Sequence, residues 1–201
     1  INLMAVYRRQ LNESTAVSAG LSLIHFSNGS TATPNYGLNL PMVSVGVSKR
    51  ISKPNDKILS RKPGIPRFSY KDNKIFVFNF MGAYASKNMG NVFGERYNVY
   101  LASFNVLKYF NEISAIGLAF DFSWDGSHVA MLERKGILNP SVITVIRPGV
   151  AATYEMTISK VVLGIGFGLY WGGKEKSEGD VYEQLSVKYL FYKNIYASVT
   201  L

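Results

Sequence analysis

Val161-Val162-Leu163-Gly164-Ile165-Gly166-Phe167-Gly168-Leu169-Tyr170-Trp171-Gly172 alternates over its whole length. Val161, Leu163, Ile165, Phe167, Leu169 and Trp171 fall on one side of an extended chain; Gly164, Gly166, Gly168, Tyr170 and Gly172 fall on the other. Successive side chains of a strand point to opposite faces, so this stretch predicts a β-strand with one unbroken apolar face and one face of mostly small residues. The run Gly164-Ile165-Gly166-Phe167-Gly168 is no nucleotide loop, because its glycines alternate inside a strand and no phosphate-binding helix follows.

The same period recurs upstream. From Ile113 to Asp125, Ile116, Leu118, Phe120, Phe122 and Trp124 oppose Ala115, Gly117, Ala119, Asp121, Ser123 and Asp125. From Val142 to Ile158, Val142, Ile146, Val150, Ala152, Tyr154, Met156 and Ile158 oppose Arg147, Gly149, Thr153, Glu155 and Thr157. The outward face of a soluble sandwich would be rich in lysine and glutamate. Here the second face carries glycine, alanine, serine and isolated charges, which suit a barrel interior, while the apolar face suits hydrocarbon. The pattern predicts an all-β fold, an antiparallel transmembrane β-barrel of the outer-membrane type. Trp124, Trp171, Tyr189, Phe191 and Tyr192 near strand ends fit interfacial girdles.

Ten strands are expected, at about 1–10, 14–27, 38–51, 74–87, 97–110, 113–125, 142–158, 161–172, 181–193 and 195–201. Short turns near Leu11–Ser14, Asn111–Glu112, Ser159–Lys160 and Lys193–Asn194 alternate with longer loops at Asn28–Leu38, Asn88–Arg96, Gly126–Ser141 and Gly173–Asp180, as short periplasmic turns alternate with long external loops. The basic, proline-containing stretch 52–73 is a long connection on the short-turn side, with room for a small periplasmic element. The chain starts at Ile1 and stops at Leu201 inside an apparent strand. Residues 1–201 are therefore expected to be a single barrel domain and a piece of a longer protein, lacking strands at both ends, with twelve or more strands in the whole.

Composition narrows the chemistry. With no cysteine and only His25 and His128, neither a disulfide framework nor a thiolate or histidine-rich metal site is expected. No stretch approaches the ~18 apolar residues of a membrane-spanning helix. The net charge of +9, concentrated in Lys49, Arg50, Lys53, Lys57, Arg61, Lys62, Arg67 and Lys71, points either to an anionic partner or simply to soluble connections. No nucleic-acid motif accompanies it, so nucleic acid is not an expected partner. Asp121, Asp125, Arg147 and Glu155 read as interior charges that pair or meet water, and His128 as an ordinary loop histidine.

One segment departs from barrel filler: His25-Phe26-Ser27-Asn28-Gly29-Ser30-Thr31-Ala32-Thr33-Pro34-Asn35-Tyr36-Gly37-Leu38-Asn39. By parity His25 and Ser27 share the side of Val17, Leu21 and Leu23, and Asn39 shares the side of Val43, Val45 and Val47. Three polar residues are thus expected together on the lipid side, near the long-loop end of one hairpin, where polar groups need a reason. The bland alternative is a strand end entering a turn, with Asn28-Gly29 chosen for left-handed geometry. The chemical reading is coherent: a serine hydroxyl needs a base, histidine is that base, and the Asn39 carbonyl oxygen can fix its tautomer. Amides of the Asn28–Gly29 turn or the Asn35 side chain can receive the oxyanion.

The segment resembles the signature of the outer-membrane lipid A 3-O-deacylase (acyloxyacyl hydrolase) family, over about fifteen residues. The resemblance implies a β-barrel with a serine–histidine–glutamate triad on its outer wall, facing the outer leaflet. It makes Ser27 the nucleophile and His25 the base, matches Asn28 and Asn35 to asparagines of the oxyanion site, and sets Asn39 where the family has glutamate. It also implies an esterase that removes an acyl chain from lipid A of lipopolysaccharide without a cofactor or metal, in the bacterial outer membrane with the active-site end toward the cell exterior. Asn39 can orient histidine but cannot stabilise the imidazolium by charge. The alternative expectation is a catalytically silent barrel serving as subunit or scaffold of an outer-membrane complex with protein partners. A third is a pore, for which the glycine-rich interior leaves room.

Overall fold

The computed structural model describes residues 2–12, 14–26, 38–51, 75–88, 95–111, 113–174, 180–192 and 194–201. Ten strands run β1 Asn2–Gln10, β2 Thr15–Phe26, β3 Leu38–Ile51, β4 Ile75–Asn88, β5 Arg96–Tyr109, β6 Ser114–Asp125, β7 Arg147–Ile158, β8 Val161–Tyr170, β9 Val181–Tyr192 and β10 Ile195–Thr200. Two helices, α1 Gly126–Arg134 and α2 Val142–Val145, lie between β6 and β7. Every neighbouring pair of strands is antiparallel, and the sheet is a closed barrel.

The ten strands that the alternation predicts are all present. Closure uses no further strand: β1 pairs with β10 from Asn2↔Thr200 to Tyr7↔Ile195, so each satisfies the other's edge. Asn2 and Thr200 meet at the long-loop end of the closed ten-stranded sheet. The stretch 52–73 lies outside the described residues.

Alternation resolves into an outside and an inside. Leu21 (68% exposed), Val45 (67%), Ile165 (60%) and Phe167 (54%) stand outward with Phe80, Ile116, Leu118 and Phe191. A wall of exposed large apolar side chains is intolerable in water and natural in hydrocarbon. No helix among the described residues is long and apolar enough to cross a membrane; the strands do the crossing. This is an outer-membrane β-barrel.

The interior is divided. Towards β3, β4 and β5 it holds two apolar clusters: Leu40, Met42, Ala83, Ala85 and Val99 pack near the long-loop end, and Ile75, Val77, Leu107, Tyr109 and Ala115 near the short-turn end. Towards β6–β9 it is polar and linked. The Tyr182 hydroxyl donates to Asp121 Oδ2 at 2.7 Å, its ring stacks on Tyr170 at 4.5 Å, and the Arg147 guanidinium lies 4.5 Å over Tyr170. Lys188 Nζ meets Glu155 Oε1 at 2.9 Å. The interior carboxylates are thus partnered, as buried charges must be.

Side chains set the turns. Asn12 Oδ1 accepts from the backbone N–H of Ser14 (3.0 Å) and Thr15 (2.9 Å). Asn111 Oδ1 accepts from those of Ile113 (2.9 Å) and Ser114 (2.6 Å). Both mimic a backbone turn, which fixes the register of the following strand.

Two expectations need correction. β7 begins at Arg147 rather than Val142, because Val142–Val145 turns into α2, where Thr144 N–H donates to Ser141 O at 2.9 Å and the Ser141 and Thr144 hydroxyls pair at 2.8 Å. The expected loop Gly126–Ser141 holds α1, started by Asp125, whose Oδ1 accepts from the Ser127 N–H at 2.8 Å as an N-cap. His128 is accordingly no loop histidine; it is 5% exposed in the first turn of α1.

Candidate active site

The hairpin β2–β3 is paired without interruption from Thr15↔Lys49 to Phe26↔Leu38. Within it His25 stands directly opposite Asn39. Directly opposed residues of an antiparallel pair have Cα atoms ~4.5–5.5 Å apart and project from the same face. Position 25 has the strand parity of Leu21 and Leu23, and position 39 that of Pro41, Val43 and Val45, all exposed on the outer wall. The register therefore brings these two positions together at the long-loop end. Ser27, Asn28, Gly29 and Asn35 lie outside the described residues.

Below this pair the outer wall changes in steps. Register rows run Leu21–Val43–Tyr84–Tyr100–Trp124 across β2 to β6. The three aromatic rings of that row are in contact, with centroids 5.4 Å (Tyr84–Tyr100) and 5.6 Å (Tyr100–Trp124) apart. One row further in, Gly82 and Ala102 replace bulky side chains and leave a shallow apolar notch of about 340 Å³ bordered by Val43, Val45, Tyr84 and Tyr100. Phe80 and Phe104 form the next outward pair along the same two strands. The aromatic row is the girdle expected where hydrocarbon meets headgroups.

A second group of serine, histidine and aspartate sits at the mouth of the barrel. Asp125 is paired with Lys87 and its Oδ1 accepts from Ser127 Oγ at 2.7 Å, while His128 Nε2 is 3.8 Å from Asp125 Oδ2. Its order is wrong for a nucleophile, since the serine bonds the carboxylate directly instead of a base between them. Ser127 is also fully buried. The cluster fastens α1 to β4 and β6. Among the described residues no three histidine, aspartate or glutamate side chains gather as a metal site would need.

The family model for the acyloxyacyl hydrolase C-terminal domain matches residues 75–201. The chain belongs to the acyloxyacyl hydrolase family. A second family model, lipid A 3-O-deacylase, matches residues 2–48, the part that contains β2 and β3 as far as Ser48. No curated protein and no solved structure matches the chain. In the acyloxyacyl hydrolase family frame, lipid A is the substrate class. Sequence reading missed Lys87 and Ser127. The Asp-Gly-Ser-His run at 125–128, a capping residue ahead of Ala130, Met131 and Leu132, is the signal that places Ser127 in a helix start, whereas Lys87 on β4 has no such local signal.

Proposed function

We propose that this protein is an outer-membrane serine esterase that removes an ester-linked acyl chain from lipid A, with Ser27 as nucleophile, His25 as base and Asn39 as the group orienting His25. One observation carries the reading: the stretch matched by the lipid A 3-O-deacylase model sets positions 25 and 39 opposite each other on the lipid-facing parity. In the reaction the Ser27 oxygen attacks the acyl carbonyl carbon as His25 takes its proton. Amides of Asn28 and Gly29, and the Asn35 side chain, hold the oxyanion. The tetrahedral intermediate expels the sugar oxygen, which takes the proton from His25, leaving an acyl-serine. Water, deprotonated by His25, then releases the fatty acid and restores Ser27.

The wall suits such a substrate. Its ester sits near the boundary between hydrocarbon and headgroups, the level of the Tyr84–Tyr100–Trp124 row, and acyl chains have the apolar wall beneath it to lie against. The long-loop end faces the cell exterior, where lipid A resides. Incubated with lipid A, the protein releases one fatty acid, seen as the loss of one acyl mass by mass spectrometry; Ser27→Ala abolishes the change. Full activity in Ser27→Ala removes the proposed nucleophile.

Asn39 favours one second reading. Losing the acid of a serine protease triad costs ~10⁴ in rate, and a lineage can keep the architecture without the chemistry. In that case the barrel is a subunit or scaffold of an outer-membrane complex. A partner that co-purifies in fixed ratio, together with unaltered lipid A, supports it.

A further inference from the structure

Three outward side chains of β4 and β5 beside the hairpin have no place in the hydrolysis just described. Arg96, Asn98 and Ser86 project from the outer wall above the aromatic row, with Ser86 directly opposite Asn98. Among the described strand residues that face outward, Arg96 is the cation at the long-loop end; Arg9, Lys49 and Lys108 lie towards the other. The Tyr84 hydroxyl donates to Asn98 Oδ1 at 3.0 Å. That bond uses the acceptor of the amide and leaves its NH₂ group to donate. A guanidinium, an amide NH₂ and a serine hydroxyl then offer hydrogens on one patch, which is the inventory of an anion site.

Register sets the patch next to the hairpin. Arg96 pairs with Asn88. Positions 25 and 39 pair at the long-loop end of β2–β3, positions 88 and 96 at the same end of β4–β5, and the β3–β4 ladder joins the two hairpins from Met42↔Ala85 downward. At a strand spacing of ~4.8 Å, Arg96 on β5 lies two strands, on the order of 10 Å, from β3. An arginine side chain together with a sugar-borne phosphate bridges that gap.

We propose that Arg96, Asn98 and Ser86 form a binding site for a phosphate monoester on the acylated aminosugar whose ester is presented to position 27. The site takes the phosphate at headgroup level, above the Tyr84–Tyr100–Trp124 girdle, and holds the sugar so that its ester faces the hairpin. Arg96 supplies the charge and a two-pronged fork; Asn98, aimed by Tyr84, and Ser86 supply neutral donors. Arg96 is here a substrate-positioning residue. The proposal rests on the deacylase reading for the ester, but its anion chemistry stands on the patch alone.

Two substrates test it in the full-length protein: bisphosphorylated lipid A and the same lipid stripped of phosphate by a phosphatase. Arg96→Gln is expected to lower kcat/KM on the phosphorylated lipid ~10-fold, the scale of a charge-assisted hydrogen bond, mainly through KM. On the stripped lipid it should equal the wild type. Arg96→Lys should recover only part of the loss, and Arg9→Gln at the opposite end should have none. Equal effects of Arg96→Gln on both lipids, or no effect on either, overturn the site. Calorimetric binding of the two lipids in detergent micelles gives an independent readout. If the wild type cleaves neither lipid, the esterase reading fails while tighter binding of the phosphorylated lipid, lost in Arg96→Gln, still upholds the anion site; equal binding overturns it.

Discussion

Gly168→Ala and Gly82→Ala are the same chemical change with opposite expected outcomes. Gly168 faces inward, opposite Tyr182 on β9. A Cβ added there falls on the Tyr182 ring, among Cζ, Cε1 and Oη, so the ring must swing off the glycine. Swinging breaks the 2.7 Å bond from the Tyr182 hydroxyl to Asp121 and the 4.5 Å stack on Tyr170. A hydrogen bond to a charged group contributes about 1.5–3 kcal/mol, and an aromatic pair about 0.5–1.5 kcal/mol. Alanine returns about 0.4–1 kcal/mol by restricting the unfolded chain. The net expectation is a loss of about 1–4 kcal/mol. At Gly82 an added Cβ meets nothing within 4 Å, so only the gain remains and the variant should be neutral to slightly more stable. Denaturant unfolding of both variants, refolded in the same lipid, reads the difference as a shift in midpoint at constant slope. A Gly168→Ala protein as stable as Gly82→Ala refutes the claim that Tyr182, laid over a glycine, ties β6, β8 and β9 together.

Asp125→Ala removes the cap of α1 and strands Lys87 without its partner; with both side chains under 15% exposed, a loss of about 3 kcal/mol is expected, read as a lower unfolding midpoint and faster proteolysis between β6 and β7. Asn39→Glu supplies a charged partner for His25 and should raise lipid A deacylation, by up to the ~10⁴-fold scale of a missing triad acid. Unaltered turnover would mean that position 39 does not touch the base.

The fold was readable where one physical fact repeats along the chain. Strands such as β6 and β8 separate an oily face from a small or polar one, as in Ile116, Leu118 and Phe122 against Ala115, Gly117 and Asp121, and the structure turns the first set outward and the second inward. Turns were readable where an asparagine side chain imitates the backbone, at Asn12 and Asn111. The start of β7 was not. Val142, Ile143, Thr144 and Val145 are all strand formers by type, and only their attachment to Ser141 and to the Lys174 N–H folds them into a helical turn. Closure was hidden for a different reason: pairing of β1 with β10 joins residues nearly two hundred positions apart, and no local pattern encodes it. At the hairpin, the register that opposes positions 25 and 39 follows from a regular ladder that runs from Thr15 to Phe26 without a bulge. The neighbours Arg96 and Asn98 could not be seen from the segment itself, because β4 and the connections around it intervene in sequence.

The account turns on which side of the barrel wall positions 25 and 39 occupy. The chain has no cysteine, so a single introduced thiol can carry a nitroxide label cleanly. Labels at positions 25 and 39, with Leu21→Cys as the outward reference and Ser44→Cys as the inward one, are compared for collision with oxygen and with a water-soluble nickel chelate in lipid bilayers. Both test positions should follow Leu21, with oxygen access and little nickel access from the barrel interior. Signals at both that follow Ser44 instead would turn the hairpin inward and remove the lipid-facing site.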